Sequence, residues 1–323
     1  MPVLRLEFSL RPITSETALR VSPGKTVPDI SLNAVANLGY AGCRFLAPVF
    51  AGDTLNAVAN LGYAGCRFLA PVYPGDTLTA VSEVIGLKEN SSRKTGIVFV
   101  RSTGYKQDGG KVLEYVRWVM VRKRDENAPA PGDHVPRLPE ALLPSTLGDA
   151  CPRIDTAAYD FTFAGSPYRF GDYAVGEKID HVDGITVEEA EHQIATRLYQ
   201  NTARIHFNQF AAAQDRFGRR LIYGGHVISL ARALSFNGLN NAFQIAAING
   251  GRHVSPLFAG STVFAWSEVL GKADLPGRED VGALRLRLVA TKDHPGADFP
   301  LKSAEGDHPA VLLDLDYWTL IPK

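Results

Sequence analysis

"RFLAPVYPGDTLTAVSEVIGLK" (Arg67–Lys88) and "RHVSPLFAGSTVFAWSEVLGKA" (Arg252–Ala273) align from end to end without a gap. Arg67/Arg252, Pro71/Pro256, Gly75/Gly260 and Thr77/Thr262 coincide, as does the Ser-Glu-Val triplet at Ser82–Val84 and Ser267–Val269. Alternating apolar segments follow each copy. They are "TGIVFVRSTGY" and "KVLEYVRWVMVRKR" in the first half, "VGALRLRLVATKD" and "AVLLDLDYWTLIPK" in the second. Period-two alternation of this kind marks strands with one buried face. Ahead of the second copy, "YGGHVISLARALSFN" (Tyr223–Asn237) is apolar at helical spacing and opens on two glycines. Each half therefore reads as one helix followed by a run of antiparallel strands, an α+β layer arrangement.

A louder repeat lies inside the first half. Leu32–Thr54 and Leu55–Thr77 are near-verbatim tandem copies that differ only at Phe50/Tyr73 and Ala51/Pro74. Each copy is read as the end of a central helix, a glycine turn and the "RFLAPV" strand. Only the second leads, through "YPGDTL", into a strand with a counterpart in the other half. Leu55–Thr77 is thus expected in the native position and Leu32–Thr54 as inserted material. With one copy removed, the stretch from "PITSETAL" to Arg67 is less than half as long as the matching stretch from "GITVEEAE" to Arg252. The first half reads as carrying a deletion as well as a duplication. A shortened first helix leaves an apolar sheet face uncovered, which lowers stability and invites aggregation.

Six of the twenty prolines fall between Pro129 and Pro152, after the charged run "VRKRDEN". Such a stretch cannot be a helix or a central strand and is read as a linker. The division is residues 1–128 for a degenerate first unit, 129–165 for the linker and 166–323 for the second unit.

The composition excludes several classes of function. Hydrophobic residues make up 45% of the chain and charged residues 21%, with a formal net charge of zero. That balance gives no general attraction to nucleic acid or to an anionic membrane, so an anionic ligand must be held by local arginines. No run approaches the roughly 18 apolar residues that cross a bilayer, and the start of the chain has no long apolar core of a signal peptide. Of three cysteines, Cys43 and Cys66 are one residue copied and Cys151 stands alone. They form no metal or disulfide framework, and a reducing cytoplasm is expected. The eight histidines show no metal-ligand spacing, and no phosphate-binding glycine loop is present.

The order of a glycine-led helix, a strand with P-V-x-x-G-D-T and further strands resembles the hot-dog fold. Two such units in one chain resemble the double hot-dog hydratases of the MaoC-like group. Those hydratases carry D-x-N-P-x-H followed, after five residues, by Ala or Ser. Here His206 and Ala212 match, Asn201 stands in place of the Asp, and Ala203 and Arg204 replace Asn-Pro. Long phrases narrow the resemblance. "GEKIDHVDGITVEEAEHQIATRLYQNTARIHFN", "GRRLIYGGHVISLARALSFNGL" and "AAINGGRHVSPLFAG" are similar to the mesaconyl-CoA (2-methylfumaryl-CoA) hydratase family. The resemblance implies a hydro-lyase that reversibly adds water to 2-methylfumaryl-CoA to give β-methylmalyl-CoA. No cofactor is implied, since CoA is part of the substrate. A homo-oligomer is expected.

Hydrating an enoyl thioester requires a base for the water, donors for the thioester enolate and an acid for the α-carbon. An imidazole serves the first and third tasks near neutrality, and His206 is the candidate. Backbone N–H groups at a helix start serve the second, which singles out "YGGH" with Gly225 and His226. Asn201 cannot act as a base but can position water or fix the His206 tautomer. Glu188, Glu189, Glu191 and His192 in "TVEEAEHQIATRL" are further sources of a carboxylate or second imidazole, though glutamates at a helix start are usually solvated. Arg204 is the candidate partner of the substrate's second carboxylate, and a solvent-facing or CoA-phosphate role is as well supported. His226 and His253 also carry structural readings. Two alternatives stand beside the hydratase: a hot-dog acyl-CoA thioesterase, disfavoured because Gly224–Asn237 contains no Asp or Glu, and an inactive remnant.

Overall fold

The computed structural model describes residues 6–9, 57–123, 125–199, 201 and 203–323. The first copy of the tandem repeat, Leu32–Thr54, lies outside the described residues. Five strands belong to the first half: β1 (Leu6–Ser9), β2 (Ala57–Phe68), β3 (Thr77–Glu89), β4 (Thr95–Tyr105) and β5 (Lys111–Arg122). The second half opens with β6 (Lys178–Asp180) and β7 (Ile185–Thr186). Helices α1 (Glu189–Leu198), α2 (Arg204–Phe207), α3 (Gln209–Ala212), α4 (Gly224–Leu234) and α5 (Phe236–Leu239) follow. Strands β8 (Gln244–His253), β9 (Thr262–Leu275), β10 (Arg278–Lys292) and β13 (Val311–Pro322) close the chain, with the short pair β11 (Lys302–Ser303) and β12 (Gly306–Asp307) inserted before the last.

The quiet repeat is visible in the strands themselves. β3 begins at Thr77 and β9 at Thr262, while β2 ends at Phe68 and β8 at His253. Both pairs fall on the same offset that aligns Arg67 with Arg252. The order β3-β4-β5-β2 in one half is mirrored by β9-β10-β13-β8 in the other, within a single 11-stranded sheet. The two sets join edge to edge through antiparallel pairing of β2 with β8, where Tyr63 is in register with Gly251 and Cys66 with Ile248. This pairing closes what would otherwise be two open edges. The architecture is the α+β double hot-dog, with α4 as the described central helix.

One local expectation is corrected. Ala57–Phe68 is continuous strand rather than the end of a helix followed by a turn. Its small-residue run satisfies helical spacing, but β5 and β8 offer hydrogen-bond partners on both sides, and tertiary pairing overrides local propensity. The strand fits β5 through three register shifts. Gly62 lies against the Trp118 indole, where a Cβ would collide with the ring.

The alternation in the sequence sets the two faces. In β10 and β13, Leu284, Leu286, Leu288, Leu313, Leu315 and Tyr317 point inward and are fully buried. Arg285 and Arg287 point outward and bond Asp316 and Asp314. The inward face meets Val227, Ile228, Leu230, Ala231 and Leu234 of α4, and Cys66, Phe68, Leu113 and Tyr115 of the first half join the same core. Burying each such leucine contributes about 1.5–3 kcal/mol, so both halves depend on one hydrophobic interior. The proline-rich stretch packs on the opposite face. Leu147 and Cys151 lie against Leu275, Val281 and Trp318, the Leu142 N–H donates to Asn249 Oδ1 at 2.8 Å, and the Trp318 indole donates to the Leu142 carbonyl. Among the described residues no helix is long and apolar enough to cross a membrane.

Candidate active site

The loop Gly218–Tyr223 brings α2 against the start of α4. The Leu221 N–H donates to the Ile205 carbonyl and the Ile222 N–H to the Leu257 carbonyl, each at 3.0 Å. His206 is 1% exposed, and its Nδ1 donates to the Leu221 carbonyl at 2.8 Å. A carbonyl can only accept, so the proton sits on Nδ1 and the lone pair on Nε2. Nε2 is buried and has no protein partner among the described residues. Burial pushes the His206 pKa down to about 4, with the Leu221 bond offsetting part of the effect. The ring is therefore neutral, and its Nε2 is a ready acceptor.

Three more imidazoles surround it. His192, on the buried face of α1 with Ala195 and Thr196, accepts the Tyr223 N–H on its Nε2 at 3.0 Å. Its ring lies 6.3 Å from that of His206, 5.9 Å from His226 and 6.2 Å from Tyr223. Burial, followed by repulsion from His206, His226 and Arg220, lowers its pKa to about 3. His253, the last residue of β8, is lowered to about 4 by burial and by His206. His226, in the first turn of α4, has Nε2 at 2.9 Å from Glu191 Oε1.

The start of α4 is built for close approach. Tyr223 is the N-cap and contributes no side-chain cap. The Gly224 and Gly225 N–H groups find no acceptor among the described residues, as expected for the first turn of a helix. Together with the helix dipole they favour negative charge. A Cβ on Gly224 would be driven into the His253 imidazole, and one on Gly225 into the Tyr223 ring. Glycine is thus required by packing at both positions.

The remaining predicted residues are placed as follows. Asn201 is buried, donates its N–H to the Thr196 carbonyl at 2.8 Å and accepts the Ala203 N–H on Oδ1 at 3.1 Å. It shapes the turn that leads into α2. Arg204 is exposed on α2. Glu188 caps α1 by position, and Glu189 pairs with Arg220 at 2.6 Å. Glu191 and His192, read from the sequence only as further sources of a carboxylate or imidazole, lie against the start of α4, together with Tyr223, which the sequence does not single out. The one available signal is that His192 shares a helical face with Ala195 and Thr196.

A cavity of about 620 Å³ opens between α1 and α4, lined by Glu191, Tyr199, His226, Ser229, Arg232 and Phe243 among others. His226 and Glu191 stand on its wall, and His206 is not among the lining residues. No group of three His, Cys, Asp or Glu side chains among the described residues is arranged to hold a metal ion.

Comparison with known proteins identifies the family. The sequence model of the mesaconyl-CoA hydratase family matches residues 57–303, beginning inside the second copy of the tandem repeat. A Chloroflexus aurantiacus protein named beta-methylmalyl-CoA dehydratase is 56% identical over 97% of this chain and 82% of its own. A crystal structure of a MaoC domain dehydratase from the same organism superposes with a TM-score of 0.86 at 56% identity, over 97% of this chain and 82% of that one. A Mycobacterium tuberculosis protein described as having a double hotdog fold shares the fold at a TM-score of 0.64 and 23% identity, again over 97% and 82%. The chain belongs to the mesaconyl-CoA hydratase family, a family of hydro-lyases.

Proposed function

We propose that the chain reversibly hydrates 2-methylfumaryl-CoA (mesaconyl-CoA) to β-methylmalyl-CoA. The observation that carries this reading is His206: buried, neutral, fixed in one tautomer by Leu221, with a bare Nε2 beside the start of α4. The family and the relative named above describe the two directions of one reaction, which is what a single acid–base site supports.

In this reading Nε2 of His206 takes a proton from water as the oxygen bonds to the β-carbon. The electron pair moves toward the thioester carbonyl. The Gly224 and Gly225 N–H groups stabilise the enolate oxygen, an interaction whose loss typically costs about 10²–10³ in rate. The enolate then collapses with protonation at the α-carbon. Substrate binding has to open the Nε2 face of His206, and catalytic hydrogen bonds often form only in the complex.

The test is incubation of the purified protein with mesaconyl-CoA, with the product identified by mass spectrometry and free thiol measured in parallel. Gain of one water without thiol release supports the hydratase. Release of free CoA would instead support a thioesterase, and a folded protein without either activity would overturn the reading.

A further inference from the structure

We propose that Glu191 and His226 form the acid partner of the hydratase site and supply the carboxylate that its sequence motif lacks at Asn201. The inference rests on the hydratase reading above and adds a catalytic pair to it.

Water addition across a double bond needs two proton transfers, one from water and one to carbon. Asn201 cannot supply either, and its Oδ1 is occupied by the Ala203 N–H. Among the four clustered imidazoles, three are unsuited to carrying a proton at neutral pH. His192, His206 and His253 are each held neutral, and their largest cause is burial. His226 differs in geometry. Its Nε2 lies 2.9 Å from Glu191 Oε1, and the Glu191 side chain is 40% exposed.

Position agrees with chemistry. Both residues line the 620 Å³ cavity, and His206 is not among its lining residues. The charged and titratable groups facing His226 are Glu191 and His192 from α1 and Tyr223 at the start of α4, with Arg232 further along the cavity wall. Among the described residues, Glu191 is the acidic one on that wall.

The resulting step balances. His206 Nε2 removes a proton from water, the oxygen–carbon bond forms at the β-carbon, and the π electrons move to the α-carbon through the thioester enolate. A proton carried by the Glu191–His226 pair then bonds to the α-carbon. His206 ends protonated and the pair ends one proton short, and exchange with solvent restores both. Dehydration runs the same transfers in reverse.

The test compares Glu191→Gln, Glu191→Asp and His226→Gln with the unmutated chain and His206→Ala in one hydration assay, with thermal unfolding followed alongside. Glu191→Gln is expected to lose about 10²-fold in kcat, with KM changed only a few-fold. Glu191→Asp should recover part of the rate. Should Glu191→Gln not fold, His226→Gln is read by the same two measures. Unchanged kcat in the folded variants would overturn the pair. An inactive unmutated chain, or a fully active His206→Ala, would overturn the hydratase reading instead.

Discussion

His206 Nδ1 lies 2.8 Å from the Leu221 carbonyl oxygen, while the Leu221 N–H returns a bond to the carbonyl of Ile205, the residue before His206. The two segments lock each other, and the lock decides which imidazole nitrogen can act. Because burial keeps the ring neutral down to about pH 4, His206 does not set an acid limb in the neutral range. The kcat/KM profile for hydration is expected to stay level on its acid side down to about pH 5. A loss of activity with an apparent pKa near 6.5 would show that an unperturbed imidazole controls the rate.

The paired glycines at the start of α4 yield the second prediction. Gly224→Ala pushes into the His253 ring and Gly225→Ala into the Tyr223 ring. Each is expected to destabilise the fold by about 1–3 kcal/mol through overpacking. If these N–H groups hold the enolate, kcat should fall by about 10²-fold or more, since displaced donors forfeit oxyanion stabilisation. Denaturant unfolding and steady-state kinetics measure the two effects separately.

Acid stability follows from four depressed imidazoles. His181, bonded to the Asn237 carbonyl and Ser267 Oγ, is lowered to about 4 by burial, and it joins His192, His206 and His253. In the unfolded chain these rings titrate near 6.5, so between about pH 6.5 and 4 the unfolded state binds more protons. Stability is therefore fully present above pH 6.5 and falls as pH drops through that window. The midpoint of urea unfolding should decrease steadily from pH 7 to pH 5. A flat midpoint over that range would contradict the burial of these rings.

Arg204 is the surface prediction. It is exposed, so Arg204→Ala should leave thermal unfolding unchanged. If its guanidinium meets the substrate's second carboxylate, kcat/KM should fall by about 10-fold or more, the range of a hydrogen bond to a charged group. Unchanged kinetics with mesaconyl-CoA in Arg204→Ala would return this residue to solvent.

Much of the fold is legible in the sequence because alternation and the constant offset between the halves are properties of the strands themselves. "LRLRL" and "LDLDY" show which face is buried, and Leu286 and Leu315 are buried where they indicate. Helix α4 is equally plain from its glycines and apolar spacing. Ala57–Phe68 reads as helix because nothing local opposes it; its extended conformation is imposed by β5 and β8, which lie far away in sequence. The site is half legible. His206 and Gly225 stand out by motif, whereas Glu191 and His192 belong to a helix start that looks solvated. Only the packing of α1 on α4 gives them partners.

The central claim is that His206 is the acid–base residue of a mesaconyl-CoA hydratase. It is tested most directly by the loss of enoyl-thioester absorbance catalysed by the unmutated chain and by His206→Ala, each verified as folded. The account predicts hydration by the unmutated chain and a loss of about 10²–10⁴-fold in kcat for the variant, the range for a positioned acid–base group. Full activity in His206→Ala would contradict it.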